Sequence, residues 1–236
     1  MNKYFNLQKY WNYVKQILSK NYKVSYSQCG EDLIIDTYFH KTKGFYIDVG
    51  ANDPIKLNNT FFFYKKGWRG INIEPNMVLI KKIRKKRPKD INLNIGCGSK
   101  SGSLDFYVIN PNTLSTCSLS TAKDYEKQGY KIIYKTKITI KTLKEIIDRY
   151  AENTEIDILS IDTEGTDLDV LKGNDWEKFR PKLVVIETLE YKRNGSAKKL
   201  NNIYDKYFIE IGYDKLSDTY INTIYVDSKN NNLKKQ

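Results

Sequence analysis

At 236 residues, 40% hydrophobic and 29% charged, the chain has the make-up of one soluble globular domain with short extensions, large enough to fold without metal or disulfide staples. It contains no run of about 18 apolar residues and no compact apolar stretch before a small-residue cleavage site, so neither a membrane-spanning helix nor a secretory signal is expected. The net charge of +12 suggests an anionic partner, but much of it sits in the helix-like run Lys81 to Arg87 and the tail ending Lys234-Lys235, and such runs are usually solvated faces.

Residues 1–24 read as an amphipathic helical extension, with Tyr4, Leu7, Trp11, Val14 and Leu18 forming one stripe beside Lys3, Lys9, Lys15 and Lys20. Packing on the domain is the preferred reading, and contact with a membrane surface is the alternative. A polar stretch, Ser25 to Asp32, leads into a helical pattern over Leu33 to Phe39. Gly44 to Pro54 is then a buried strand running into a glycine turn, followed by a helix over roughly Lys56 to Lys66 that Gly67 stops. Gly70 to Glu74 repeats the rhythm as a second strand, Pro75 starts a helix running to about Arg87, and Pro88 ends it. Ile91 to Ile95 is a third strand closed by Gly96-Cys97-Gly98.

Two further strands, Leu104 to Ile109 and Ile132 to Ile140, bracket a polar loop over Pro111 to Ser120. This loop and the Tyr-rich stretch from Gly129 to Tyr134 are open to two readings, a carbohydrate-binding wall or a surface insertion. Thr142 to Tyr150 is a helix, Ile156 to Ile161 a strand ending in Asp162-Thr163-Glu164-Gly165, and Asp167 to Leu171 a short helix. Leu183 to Ile186 is a strand ending at Glu187, followed by a helix near Lys198 to Phe208 and two strands, Glu210 to Lys215 and Tyr220 to Val226. Strands alternating with helices predict a Rossmann-like α/β fold: a mostly parallel seven-stranded sheet, its last strand antiparallel, with helices on both faces over residues 25–228. Residues 229–236 read as a polar, disordered tail.

In such a sheet ligands bind at the carboxyl ends of the strands, where the strand order reverses. The predicted strand ends carry Asp48-Val49-Gly50, Glu74, Asn94 to Cys97, Asp162 to Glu164, and Glu187. Gly50 permits a tight turn with close backbone approach, and Glu74 is placed to accept the hydroxyls of a ribose. A dinucleotide site would need Gly-x-Gly-x-x-Gly, whereas the chain has Gly50-Ala51-Asn52-Asp53-Pro54-Ile55. A ligand with ribose, purine and a zwitterionic amino-acid tail fits better, and S-adenosylmethionine is one.

Three blocks resemble the FkbM family of S-adenosylmethionine-dependent methyltransferases: SQCGEDL at 27–33, GFYIDVGANDP at 44–54 with INIEPN at 71–76, and DILSIDTEGTDLDVLKG at 157–173 followed by VVIE. The resemblance implies a class I methyltransferase fold acting on hydroxyls of sugars and natural products. It assigns Asp48, Gly50, Ala51 and Asn52 to the cofactor loop, Glu74 to the ribose, and Pro75 and Asn76 to the neighbourhood of the adenine, with Cys97 at the third strand end. Gln28, Glu31 and Asp32 are implied to close over the amino-acid end of the cofactor. Asp162, Thr163 and Glu164 are implied to stand where cofactor and acceptor meet; Thr163 replaces a more usual Val.

A sugar hydroxyl is a poor nucleophile, so a base or a metal should help remove its proton. His40, the only histidine, lies outside every motif. Asp162, Glu164 and Glu187 are the catalytic candidates, with Glu190 nearby; Asp162 with Glu187 is alternatively a Mg²⁺ site, and Asp162 is alternatively only a cap for the following helix. Cys29, Cys97 and Cys117 form neither a zinc pattern nor a disulfide framework and read as reduced cytoplasmic thiols. The expected partner is a sugar or glycan, an anionic one being compatible with the charge, with no nucleic acid. The location is cytoplasmic, with the inner face of the membrane an option. A small natural product as acceptor, a nucleotide-linked oxidoreductase, and a binding module without turnover remain alternative readings, and the oligomeric state is open.

Overall fold

The computed structural model describes residues 23–191 and 197–230. The helix expected over Tyr4 to Ser19 with its membrane contact, the end of the tail, and the side chain of Glu190 lie outside the described residues.

The central sheet has seven strands: β1 (Phe45–Val49), β2 (Arg69–Ile73), β3 (Ile91–Leu93), β7 (Ile158–Ile161), β8 (Leu183–Glu187), β11 (Tyr213–Asp218) and β12 (Asn222–Asp227). Their spatial order is β11-β12-β8-β7-β1-β2-β3, and β12 runs antiparallel to both its neighbours while the remaining pairings are parallel. The antiparallel final strand is thus inserted beside β8, with β11 left at the edge.

Period-two alternation divides the core. On one face Ile47, Val49, Ile71, Ile73, Leu159, Ile161, Val184 and Ile186 pack with Leu143, Ile146 and Ile147, with Val170 and Leu171, and with Tyr204 and Phe208. These come from three helices, α5 (Leu143–Tyr150), α6 (Asp167–Lys172) and α7 (Asn201–Glu210). On the other face Tyr46, Ile158, Val185 and Ile224 meet Ile35 of α1 (Glu31–Phe39), Phe63 of α2 (Phe61–Lys66), and Trp68. A helix on each face leaves only the strand ends open to ligands.

Local chemistry sets several boundaries. α2 is shorter than expected, because residues 54–60 form turns; Gly67, at φ 101°, closes it with its N–H on the Phe63 and Tyr64 carbonyls. Pro75 does not open α3 (Met77–Lys86): Asn76 is the N-cap, its side chain accepting from the Val78 and Leu79 N–H groups. Thr142 and Glu145 form a reciprocal capping box on α5. Lys198 and Lys199, read as the start of the last long helix, belong instead to strand β10 (Ala197–Lys199), paired with β9 (Leu189–Tyr191). Ser228–Asn230 is a 3₁₀ turn.

An insertion lies between β3 and α5. The short β4 (Gly96–Cys97), the long β5 (Gly102–Asn110) and β6 (Lys131–Lys141) make a separate sheet in the order β4-β6-β5. Between β5 and β6 runs α4 (Leu119–Lys127), capped by Ser118 and packed through Ala122 and Tyr125 on Tyr107 and Ile109. The loop before α4 folds back onto β5 through reciprocal backbone bonds between Tyr107 and Thr116, and the Thr116 hydroxyl donates to the Glu164 carbonyl at 3.3 Å. The insertion is thereby tied to the end of β7.

Candidate active site

The order of the sheet reverses at β1: β2 and β3 are laid down on one side, β7 and β8 on the other. Gly50, at φ 79°, turns the chain at that point. A Cβ there would lie 1.8 Å from the Asp162 carbonyl oxygen at the end of β7, so only glycine fits between the two strand tips. The Gly50 and Ala51 amides donate to the Ile73 carbonyl at 2.9 and 3.2 Å, which ties the turn to β2.

A cleft of about 610 Å³, counting space open to solvent, lies over this turn. Its walls are Val49, Gly50 and Asn52; Ile73, Glu74, Pro75 and Leu79; Gly96, Cys97 and Phe106; Asn112, Thr113 and Ser115 to Cys117 of the inserted loop; and Asp162 to Glu164 with Thr166. Three carboxylates and no lysine or arginine line it. Glu74 is held at both oxygens, by the Asn52 N–H at 3.0 Å and the Asn76 N–H at 2.7 Å. Burial outweighs these bonds, with the Asp48 and Asp162 charges adding to it, and the carboxyl is pushed up to about 7.

A second cleft, about 980 Å³ counting open space, adjoins the first. It is lined by Thr121, Asp124 and Tyr125 of α4 and Gln128 just after it, by Glu164, Gly165, Asp167 and Leu168, by Glu187 and Leu189, and by Leu200 and Tyr204. Glu164 belongs to both clefts, Asp162 to the first and Glu187 to the second. Glu164 is a non-glycine residue at φ 55° followed by Gly165 at φ 98°, a strained turn that sets its side chain in this wall. The Tyr125 hydroxyl donates to Glu164 at 3.3 Å.

Burial first, and then mutual repulsion together with Asp167, raises the whole group: Asp162 to about 7, Glu164 to about 8 and Glu187 to about 10. Carboxyls this close titrate together, and the group retains protons at neutral pH.

The family described as the methyltransferase FkbM domain matches residues 48–214. The chain belongs to this family. Among solved structures, the FkbM methyltransferase from Methylobacillus flagellatus KT is 14% identical over 81% of this chain and 47% of its own, with a TM-score of 0.49. A TehB-like SAM-dependent methyltransferase from Corynebacterium glutamicum is 9% identical over 93% and 97% of the two chains, with a TM-score of 0.44. The glycopeptide N-methyltransferase MtfA, solved with sinefungin, is 9% identical over 87% and 88%, with a TM-score of 0.37. This FkbM chain spans about half the length, 47%, of the M. flagellatus protein. No curated protein matches it.

The FkbM domain brings Gly50, Asn52, Glu74, Pro75, Cys97, Asp162 and Glu164 into the first cleft, and Glu187 into the adjoining one. It does not bring in Asp48. Asp48 is two residues on from Tyr46, so alternation turns it to the sheet face opposite Val49. There its carboxylate accepts from Thr60 at 2.6 Å and Asn58 at 3.1 Å, and lies 3.7 Å from Arg87. Its role is to order the 51–60 loop from beneath.

Gln28 and Glu31 are also elsewhere. Glu31 is fully buried and accepts from the Thr219 hydroxyl at 2.6 Å, Asn222 at 2.8 Å and the Cys29 N–H at 2.8 Å, while Gln28 accepts from Asn222 at 3.0 Å. Although burial opposes it, these bonds hold the Glu31 carboxyl below its usual value, and both residues clamp the segment before α1 onto the start of β12. Asp32 accepts from Ser25, Tyr26 and Ser27 in the same segment. The FkbM match begins at Asp48, after this block. Ala51 packs on Ile80 and Ile83, and Asn76 caps α3, so each shapes the first cleft without lining it.

Asp162 is not a helix cap: Thr166 is the N-cap of α6, and the Thr163 N–H is held by Asp167 at 2.9 Å. For Mg²⁺, no group of three or more His, Cys, Asp or Glu side chains is arranged to hold a metal among the described residues. The cleft residues that sequence reasoning missed are Leu79 and Phe106, with Tyr125 of α4 in the second cleft; of the loop over Pro111 to Ser120, left open between a binding wall and a surface insertion, Asn112, Thr113 and Ser115 to Cys117 line the first cleft. The Cys97 and Cys117 thiols face the first cleft, and burial pushes them up to about 12 and about 11, which keeps both protonated.

Proposed function

We propose that this FkbM domain transfers the methyl group of S-adenosylmethionine to a hydroxyl of a sugar, in a bacterial surface glycan such as capsule or lipopolysaccharide or in its nucleotide- or lipid-linked precursor. The observation that carries this reading is the meeting of two clefts at one carboxylate group, Asp162, Glu164 and Glu187, on the tips of β7 and β8.

The first cleft fits a cationic adenosyl ligand. Its three carboxylates and lack of lysine or arginine suit a sulfonium and an ammonium, and would repel the pyrophosphate of a dinucleotide. Glu74 would hold the ribose hydroxyls; Pro75, Leu79 and Phe106 offer apolar surface to a purine; and the Gly50 turn with the Asp162 to Glu164 rim would receive the amino-acid end. When bound, S-adenosylmethionine supplies an electrophilic methyl group on a positively charged sulfur.

The chain's own work is alignment and proton removal. The second cleft would hold the acceptor with the hydroxyl facing the wall that both clefts share. Positioning of this kind is worth on the order of 7–11 kcal/mol in favourable cases. Glu187 and Glu164 hold protons in the free protein, and a bound sulfonium would favour their ionised forms; a carboxylate freed in this way is a stronger base than an ordinary one and can take the hydroxyl proton as the oxygen attacks. Proton removal is assigned to a carboxylate of this group, whose raised affinity for protons suits a base.

Asp124, Glu164, Asp167 and Glu187 line the second cleft, and among the described lining residues there is no lysine or arginine. This supports a neutral sugar over the anionic acceptor that the net charge suggests, with Tyr125 and Tyr204 as ring surfaces for it. A cytoplasmic location, on the inner membrane face for a lipid-linked precursor, goes with this reading.

The test is incubation with methyl-labelled S-adenosylmethionine and a panel of neutral and acidic oligosaccharides and their nucleotide-linked precursors, read by mass spectrometry. Gain of one methyl group on a neutral sugar, lost in Glu187→Gln, supports the proposal. Methylation confined to non-carbohydrate hydroxyls overturns the sugar assignment, and methylation of acidic sugars alone overturns the charge argument.

A further inference from the structure

The acidic clefts leave the excess of positive charge unexplained. A third concavity, beside α2 and the start of β2, collects part of it. Lys65 at the end of α2, Arg69 at the start of β2, Lys86 at the end of α3 and Lys89 in the following turn line it, with Tyr26 and Phe61 as aromatic wall. No carboxylate lines it, and it shares no lining residue with either cleft of the active site.

The nearby acids are already engaged. Asp36 pairs with Lys23 and Lys66, and Asp90 accepts from Arg87, Tyr46, Asn72 and the Gly70 N–H. Among the described residues, none of Lys65, Arg69, Lys86 and Lys89 is ion-paired with a carboxylate. Two of the four are held in place by rings: the Lys65 ammonium bonds the Tyr26 hydroxyl at 2.7 Å and lies 5.1 Å from that ring's centre, and the Arg69 guanidinium lies 5.4 Å from the Tyr64 ring centre. Tyr26 is itself packed edge-on against Phe61 at 4.9 Å. Ring-backed cations lose less side-chain freedom on binding than free surface lysines do.

We infer that this concavity is a second binding site, for a phosphate-bearing ligand. Four like charges around one hollow repel each other until an anion enters, and a phosphate satisfies an arginine fork and several ammonium groups together. The ligand chemistry has two sources, a soluble diphosphate such as that of a nucleotide-linked sugar, or the headgroup of an anionic phospholipid. The inference does not depend on the methyl-transfer reading.

The full chain is titrated with uridine diphosphate by calorimetry and sedimented with phosphatidylglycerol or phosphatidylcholine vesicles, near physiological salt. Binding of the diphosphate, or of phosphatidylglycerol vesicles in preference to phosphatidylcholine, is expected, weakening as salt is raised. Diphosphate binding identifies a soluble ligand; vesicle binding without it identifies a headgroup. The exposed pair Lys86→Ala/Lys89→Ala, and separately Arg69→Gln, should each weaken binding by about tenfold or more while sinefungin binding to the first cleft stays unchanged. Failure of both probes to bind at millimolar concentration, or equal binding by wild type and both variants, overturns the inference.

Discussion

Arg87→Met offers the sharpest check on how the Gly50 loop is supported. Arg87 is fully buried, donating to Asp90 at 2.9 Å, to the Thr60 hydroxyl at 2.8 Å and to the Asn58 side chain at 3.3 Å, with Asp48 3.7 Å away. Its guanidinium also lies 5.0 Å from the Tyr46 ring centre. Methionine approximates the volume but leaves Asp90 and Asp48 buried without their cation. Breaking a buried pair from one side costs about 3–5 kcal/mol, a large part of the roughly 5–15 kcal/mol that holds a domain together. For a chain of this size that corresponds to a fall in Tm of on the order of 6–20 °C. Urea denaturation and calorimetric melting measure it. Adding Asp90→Asn removes the stranded charge, so the double variant should lose less than the sum of the two single changes. An Arg87→Met protein as stable as wild type, or strictly additive losses, would refute the reasoning.

Gly50→Ala should lower stability by at least about 1–2 kcal/mol from the left-handed backbone alone, and by more from its clash with the Asp162 carbonyl; retention of full cofactor affinity, by calorimetry, would contradict the account. Glu187→Gln should reduce kcat by roughly 10²–10⁴-fold with cofactor affinity unchanged, since Glu187 lines only the second cleft. Glu74 and Asp162 both sit near 7 in the free protein, and a cationic ligand favours their ionised forms. Binding at pH 7 should therefore release protons, seen as a dependence of calorimetric heat on buffer ionisation enthalpy, and affinity should rise as pH rises through 7. For stability the sign is opposite: carboxyls raised in the folded state hold protons that the unfolded chain releases, so stability falls from the ordinary carboxylate range up through about 7–10. Melting curves with and without cofactor should show that fall, and show it reduced by the cofactor.

The central sheet was legible in the sequence because its strands are short, apolar and closed by chemistry that stops them, as at Gly50, Glu74 and Glu187. The direction of Asp48 was legible too, by counting in twos from Tyr46, but a motif resemblance pointed the other way. Arg87 was hidden for a different reason. It closes a run of basic residues of which Lys81, Lys82, Arg84, Lys85 and Lys86 are exposed, and only its buried partners Asp48, Asp90 and Thr60 distinguish it. Gln28 and Glu31 take their partners from Thr219 and Asn222, nearly the whole chain away, which no local pattern reveals. The inserted loop from Asn112 to Cys117 has no periodicity of its own, and its place over the site depends on the Tyr107–Thr116 bridge and the bond to the Glu164 carbonyl.

The most direct measurement is a calorimetric titration of S-adenosylmethionine and, separately, NADH into wild type and Glu74→Gln. The account predicts that S-adenosylmethionine binds wild type, that Glu74→Gln binds it about tenfold more weakly or worse without a loss of Tm, and that NADH binds neither. Equal affinity in both proteins, or NADH bound in place of S-adenosylmethionine, would contradict it.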